Sequence, residues 1–490
     1  MVLTPFDNDK YLYKQKEAII NRKNQFSKLY LEVGGKLFDD YHAARVLPGF
    51  LPDNKLKVLS SLKEESEIII VINSDDIKSR RIRGDLNITY DVEVERLIVH
   101  FQKLGISINS VVFSFYEPNK EVDKFIKKLK KNKITTYKHY KINGYPQNTA
   151  LIVSENGLGK NEYIKTTKDI VIVTAPGPGS GKMATCLSQL YHDHKHGINA
   201  GYAKYETFPV YNLDINHPVN IAYEAATLDL LDVNMIDPFH LQAYGINAVN
   251  YNRDIATFPL LRTLINLISG NCLYRSPTDM GINMVGHAFN DDEKIKDASK
   301  QEIIRRYYET KKNILLGNLD ESTLEKCEML MNNIEVSPSD RKCVDRALLK
   351  EKECGTPSIA LELHNGQIIT GRRSELLTSS AAVILNALKY LAHINDDIPL
   401  LSRNVIEPIV NLKINSLHNE NPKIHLEEIL IALAIQAATN PMAELALQQI
   451  EKLKGTEAHS SCILSLIDLR TFKKMGINIT EEPKSYLYNK

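Results

Sequence analysis

Ile170-Val-Ile-Val-Thr-Ala-Pro-Gly-Pro-Gly-Ser-Gly-Lys-Met-Ala-Thr185 is the stretch whose reading decides the fold. Its opening run is apolar and β-branched without alternation, the pattern of a strand covered on both faces in a parallel sheet. Glycines at 177, 179 and 181 follow, and a helix is predicted from Gly181 to about His194. A strand that enters a glycine-rich turn and then a helix is the local frame of a phosphate cradle. Gly177, Gly179, Ser180 and Gly181 would present main-chain N–H groups, since glycine leaves no Cβ in the way. The helix start adds a positive partial charge, and Lys182 adds a full one. The plainer reading is a tight turn that needs glycine for its backbone alone.

The match to the phosphate-loop pattern G-x-x-x-x-G-K-[ST] is partial. Pro176 stands at the first glycine position, and Met183 replaces the hydroxyl residue. A thioether is a poor ligand for Mg²⁺, which prefers hard oxygen donors. Thr185 lies about 200° further round the helix, so Ser180 is the better-placed oxygen. The expectation is a nucleotide or phosphorylated metabolite at residues 176–182, without the usual Mg²⁺ ligand for hydrolysis. Gly177, Gly179 and Gly181 are misspaced for the dinucleotide fingerprint G-x-G-x-x-G, and no acid-terminated strand follows at the right distance.

Strand and helix patterns alternate through the first part of the chain. Leu29–Val33, Ile68–Ile72, Val111–Phe115 and Ile134–Tyr140 read as strands, and Tyr90–Leu104 and Val122–Lys131 as helices. This predicts an α/β fold, with a mostly parallel sheet over residues 1–215 and helices on both faces. Residues 216–352 read as a helical subdomain. Pro218 opens a helix, Gly270 closes Ile255–Ser269, Glu293–Leu316 is long and charged, and Ser337-Pro338 opens another. Residues 353–490 read as a three-layer α-β-α domain. Ile359–His364 and Gln367–Thr370 flank Asn365-Gly366, a type I′ hairpin signal. Three helices are predicted there, the last running from Pro441 to about Leu453, and Cys462–Leu466 is predicted as a strand.

Composition narrows the function classes. The 490 residues are 43% hydrophobic and 25% charged, which is ordinary globular usage, and the net charge of +1 leaves no broad electrostatic footprint for nucleic acid. The lysines between 124 and 133 read as the solvated face of one helix. The cysteines at 186, 272, 327, 343, 354 and 462 form no C-x-x-C pair, so neither a zinc ribbon nor a thioredoxin motif is signalled, and so few suit a reducing compartment. Met1 to Lys16 is polar and reads as no signal peptide. The run Ile429–Ala438 is broken by Gln436 and too short to span a bilayer. The expectation is a cytoplasmic protein with a small phosphorylated ligand and neither nucleic acid nor membrane as partner. Assembly with further copies of itself is left open.

Other constellations each carry two readings. Asn73-Ser74-Asp75-Asp76, at a strand's carboxyl end, could hold a metal near phosphate or simply cap a helix. His192, His194 and His196 could ligate a metal or form a polar helix end; H-E-x-x-H is absent, and no metal site is assigned. Cys186 reads as a packed residue more than a nucleophile. Asp39, Asp40, His42 and Arg45 follow Gly34-Gly35-Lys36 and could face the same crevice as the loop. The long connection Asn271–Asp292 carries Arg275, which could fork onto a phosphate, and Asp279 and His287, which could serve as acid and base. These three are the candidate catalytic residues, against the reading of a capped, hydrogen-bonded loop.

Five segments give the chain a family likeness: Leu31-Glu-Val-Gly-Gly-Lys-Leu-Phe-Asp-Asp-Tyr-His42, Ala175 to Lys182, Asn234-Met-Ile-Asp-Pro-Phe-His240, Arg275-Ser-Pro-Thr-Asp-Met-Gly281 and Gly355-Thr-Pro-Ser-Ile-Ala-Leu-Glu362. Together they resemble a bacterial family known as domain of unknown function eighteen forty-six, or uncharacterised protein family three-seven-one. The resemblance spans nearly the whole chain. It implies an α/β first domain, a helical insert and a carboxyl-terminal part of deaminase-like α-β-α topology, here without that fold's zinc ligands. It carries no reaction and no site residue to this sequence. The functional expectation is therefore a phosphate-dependent enzyme. Its alternative is a non-catalytic protein that senses a phosphorylated ligand or only assembles.

Overall fold

The computed structural model describes residues 4–83, 86–419 and 421–484. Met1 to Leu3, from the polar amino-terminal stretch, lie outside them. The chain divides into two compact units, Met1–Ser299 and Lys300–Lys490. Residues 216–299 thus belong to the first unit and 300–352 to the second.

The first unit is organised by a seven-stranded sheet. Its strands are β1 (Lys28–Val33), β2 (Ser66–Asn73), β3 (Ser107–Ser114), β4 (Thr135–Lys138), β5 (Ile170–Thr174), β6 (Ala200–Tyr205) and β7 (Gly281–Ile282), in the order β7-β6-β1-β5-β2-β3-β4. Every pairing in it is parallel. All five residues of β5 are buried, and each buried Val or Ile stabilises the fold by roughly 1.5–3 kcal/mol. Alternate side chains feed two cores. Leu29, Leu31, Ile68, Ile70, Ile170 and Ile172 face one, while Tyr30, Ile69, Val171 and Val173 face the other, against the helices Lys182–Lys195 and Asn252–Ser269.

β1, β2, β3 and β5 lie where the apolar runs placed them. β6 and β7 were not foreseen. Ala200-Gly201-Tyr202-Ala203 lacks a β-branched run because its backbone packs closely: a Cβ on Gly201 would lie 2.3 Å from the Phe26 ring. β7 sits inside the connection read as irregular.

The second unit holds a four-stranded sheet ordered β9-β8-β10-β11, with β8 Ser358–Glu362, β9 Ile368–Arg372, β10 Glu457–Ser460 and β11 Asn478–Glu481. Ile359 and Leu361 face a core shared with helices Ser379–Leu391 and Leu426–Ala437, and Ala360 meets Cys343 and Ala347 on the opposite face. The hairpin at Asn365-Gly366 differs from expectation. Leu363 N donates to Gln367 O and Gly366 N to Leu363 O, each at 2.8 Å. Only Gly366 has positive φ, +81°. This is a three-residue loop with a bulge at glycine instead of a two-residue type I′ turn, and the Asn365 side chain braces it by accepting from Gln367 N at 3.1 Å. Cys462–Leu466 is not a strand; helix Leu466–Lys474 starts at its end. The helix from Pro441 stops at Leu447, and a short 3₁₀ turn spans Ile450–Leu453.

Candidate functional site at the carboxyl edge of the parallel sheet

The chain leaves the ends of the neighbouring strands β1 and β5 in opposite directions. From β1 it runs to β2, beyond β5. From β5 it runs through helix Lys182–Lys195 to β6, on the far side of β1. Such a reversal opens a crevice outside the strand ends, the favoured place for ligands in open α/β sheets. Gly34-Gly35 lines one side and Pro176–Gly181 the other. A Cβ on Gly34 would meet open space.

The glycines of the loop are there for separable reasons. Gly181 caps the helix at φ +87°, and a Cβ there would lie 2.9 Å from Ser114 Cβ. A Cβ on Gly177 would lie 2.3 Å from the Tyr90 hydroxyl. Gly179 has φ +75° with nothing near it. Carbonyls of the loop are turned inward and occupied: Ser180 Oγ donates to Gly177 O at 2.7 Å, Ser114 Oγ to Ser180 O at 2.7 Å, and Asn73 Nδ2 to Gly179 O at 3.4 Å. Among the described residues, no group accepts from the main-chain N–H of Gly179, Ser180, Gly181, Lys182, Met183 or Ala184. Pro178, Gly179 and Ala184 are exposed.

Beside the loop lies a set of charged groups that no motif announced. Val173, Glu32, Lys204 and Gly281 stand in one row across β5, β1, β6 and β7. Lys182 Nζ lies 3.9 Å from Glu32 Oε1, and the Tyr202 hydroxyl donates to Glu32 Oε2 at 2.8 Å. Lys204 Nζ is held by Asp254 Oδ1 at 2.5 Å and stands 3.9 Å from Glu206 Oε1. Burial lowers the Lys204 ammonium's affinity for its proton, but Asp254, Glu206 and Glu32 outweigh it and the pKa is raised. Lys55, buried, donates to Gly34 O at 2.9 Å. Burial holds its pKa down, opposed by Asp40 and Glu206 and assisted by Lys182.

Glu206 is the outlier in this set. Its main-chain N–H donates to Ile282 O at 3.1 Å, which fixes it at the end of β6. Its carboxyl makes no hydrogen bond to the described residues, and the side chain is 19% exposed, enough for solvent to reach it. Burial pushes its pKa up to about 8, against the pull of Lys204 and with the help of Asp254 and Glu32. It borders a small crevice, with room for roughly one water molecule, lined also by Pro209, Tyr211, Asn250, Thr278 and Asn283.

Family models describe the same chain. The model for the amino-terminal part of domain of unknown function DUF1846 matches residues 4–335, and that for its carboxyl-terminal part matches residues 339–488. The chain belongs to the DUF1846 family. UPF0371 proteins of Streptococcus uberis and of Streptococcus pneumoniae strain JJA are 53% and 52% identical to it over 479 residues, 98% of this chain and 97% of each relative. One from Streptococcus thermophilus is 52% identical over 486 residues, 99% of this chain and 98% of its own.

In this DUF1846 chain the structure separates the two groups of sequence-chosen residues. Gly177 to Lys182 sit at the crevice, although the Ser180 hydroxyl, seen in the sequence as a candidate oxygen ligand, is buried and spent on Gly177 O. Met183 packs against the apolar core. Asp279 is the reciprocal partner of Ser276 in the capping box of helix Pro277–Met280; its carboxylate also accepts from Arg275 N and the Tyr244 hydroxyl, both at 2.9 Å. The Arg275 guanidinium lies over the Tyr244 ring, 5.2 Å from its centroid. His287 Nε2 is 3.1 Å from the Tyr211 hydroxyl, and burial, with Lys14 and Lys10, lowers its pKa. His287 therefore reaches the Glu206 crevice only through Tyr211.

The remaining constellations resolve into local structure. Asn73 caps helix Ser74–Lys78, Asp75 pairs with Lys78 at 2.9 Å, and Asp76 with Arg81 at 3.2 Å. His192 Nε2 lies 2.8 Å from Asn161 O, His194 Nε2 3.1 Å from Ala200 O, and His196 Nδ1 2.6 Å from His192 O. Asp39 pairs with Arg96 at 2.5 Å, and Asp40 caps helix Tyr41–Val46. Cys186 is fully buried, and burial pushes its thiol up. Among the described residues no group of three or more His, Cys, Asp or Glu could hold a metal ion, and no helix is long and apolar enough to cross a membrane. Sequence reading missed Glu32, Lys55, Lys204, Glu206 and Asp254. The available signal was charge at strand ends: Glu32 interrupts Leu29–Val33, and Lys204 and Glu206 bracket Tyr205.

Proposed function

We propose that the carboxyl-edge crevice binds a phosphorylated small molecule, a nucleotide or sugar phosphate, with its phosphate against the loop Gly179–Ala184 and Lys182. The carrying observation is the run of main-chain N–H groups without an acceptor among the described residues, at the head of a fourteen-residue helix. Donors so placed favour an anion. Lys182 supports the reading: its ammonium stands beyond hydrogen-bond distance from Glu32 and has donors to spare. The expected result is that Lys182→Ala weakens binding by about 1.5–3 kcal/mol, the scale of a charge-assisted hydrogen bond. Calorimetry with inorganic phosphate, ATP and ribose 5-phosphate measures it. If none of these binds or raises the melting temperature, the reading is wrong.

A second reading, sensing without turnover, draws on Met183, whose side chain belongs to the core where a phosphate loop would offer Mg²⁺ a hydroxyl. Incubation with ATP and Mg²⁺ separates the two: released phosphate supports an enzyme, and binding without release supports a sensor.

A further inference from the structure

Three neighbouring strands set the scale of the crevice. The loop follows β5, Glu32 lies on β1, and Glu206 follows β6. Strands pair about 4.8 Å apart, so the loop and Glu206 are separated by about 10 Å along the sheet edge. Lys182 and Lys204 stand on either side of Glu32 between them. The Glu206 end differs in kind from the loop end. Asn283 donates to Pro209 O at 2.9 Å and Asn250 to Thr278 Oγ1 at 3.3 Å, so both amides are held in place. The Tyr211 hydroxyl is engaged by His287. The Glu206 carboxyl, by contrast, makes no hydrogen bond to the described residues. Gly281 opposite makes room for it, since a Cβ there would lie 2.5 Å from Glu206 Oε2.

We propose that the Glu206 crevice is the second half of the same ligand site and takes a single hydroxyl group at the far end of a phosphorylated sugar or polyol. This rests on the phosphate reading above. A hydroxyl can both donate to and accept from a carboxyl group. An amine is disfavoured by the Lys204 ammonium 3.9 Å from Glu206. The raised pKa of Glu206 accords with the assignment, because a carboxyl that keeps its proton near neutral pH offers a donor and spares an anionic ligand a further negative charge.

The test is calorimetry at pH 7 with inorganic phosphate beside ribose 5-phosphate, glucose 6-phosphate and glycerol 3-phosphate. The wild-type chain should bind at least one phosphorylated sugar or polyol about tenfold or more tighter than inorganic phosphate, the scale of about 1.4 kcal/mol. Glu206→Ala and Gly281→Val, which remove the carboxyl or fill its crevice, should each erase that preference and leave inorganic phosphate within about twofold. Glu206→Gln, which keeps the hydrogen-bonding shape, should retain most of it. If inorganic phosphate binds but none of the three is preferred, or if both crevice variants weaken all probes alike, the Glu206 assignment is overturned and the phosphate reading stands. If no probe binds, the phosphate reading falls and takes this assignment with it. Gly281→Val and Glu206→Gln keep the test decisive should Glu206→Ala fail to fold.

Discussion

Two clusters of buried charge can be compared in this chain, and they are finished to different degrees. In the second unit Arg341 is fully buried and its guanidinium is fully engaged: Nη1 on Glu457 at 2.5 Å, Nη2 on the carbonyls of Ala458 at 2.9 Å and Asn478 at 2.5 Å, and Nε on Thr480 Oγ1 at 3.1 Å. Arg305 adds two bonds to Glu457, at 2.9 and 2.8 Å. In the first unit Lys182 meets Glu32, and Lys204 meets Glu206, only at 3.9 Å, and the Glu206 carboxyl makes no hydrogen bond to the described residues. Burying a charge without full pairing is costly. A cluster that completes every bond serves the architecture. One that leaves capacity unused at a crevice is where the proposed ligand would find its partners.

The sharpest way to break that comparison is to unpair the finished cluster. Arg341→Ala leaves Glu457 with Arg305 and the Asn478 amide, and takes one donor each from the carbonyls of Ala458 in β10 and Asn478 in β11. Breaking a buried pair from one side costs about 3–5 kcal/mol. Urea unfolding of the full chain measures it, and a loss below about 1 kcal/mol would mean that the cluster is no more structural than a surface pair.

What the sequence made legible follows the same division. Buried parallel strands announce themselves by continuous apolar runs, and β2 and β5 were read from Ile68–Ile72 and Ile170–Thr174 directly. β6 escaped because Gly201 and its alanine neighbours trade side chains for close approach, and β7 because two residues carry no period. The strand-to-helix turn was legible from its glycines, of which Gly177 and Gly181 are required by close packing and by the helix cap. The residues around Glu206 were not, since β1, β6, helix Asn54–Ser61 and helix Asn252–Ser269 bring them together from distant stretches. Arg275 and Asp279 were conspicuous in sequence for the opposite reason: Ser276-Pro277-Thr278-Asp279 is a capping box, and caps use the same residue types as sites.

The clusters should also differ in the sign of their pH dependence. Glu206 is raised to about 8 in the fold from an ordinary 4.5, so between those values the native state keeps a proton that the unfolded chain has lost. Stability therefore falls as pH rises through that window. The groups facing it are Lys204 and Glu32 from the sheet, Lys55 from helix Asn54–Ser61 and Asp254 from helix Asn252–Ser269. Glu457 runs the other way. Burial would raise its carboxyl, but Arg305 and Arg341 outweigh it and hold it below 4.5. Its contribution is present above the ordinary value and lost as pH falls through the lowered one. Glu206→Gln should flatten the decline between pH 5 and 8 and leave the variant about 1–3 kcal/mol more stable than wild type at pH 8, within the limit of about 1.4 kcal/mol per pH unit. Parallel stability curves for the two proteins across that range would remove the distinction between the clusters.

The smallest effect sharpens the boundary between bracing and binding inside the loop itself. Ser180 Oγ is buried and donates to Gly177 O, while the Ser180 main-chain N–H is among the groups left without an acceptor. Ser180→Ala removes the first and keeps the second. A neutral hydrogen bond contributes about 0.5–1.5 kcal/mol, so the variant should unfold at slightly lower urea while its dissociation constant for inorganic phosphate changes by less than about threefold. Lys182→Ala should show the reverse, a large loss of affinity with little change in stability. If Ser180→Ala instead abolishes phosphate binding in a chain that remains folded, the hydroxyl is a ligand contact, and the N–H groups of the loop do not carry the anion by themselves.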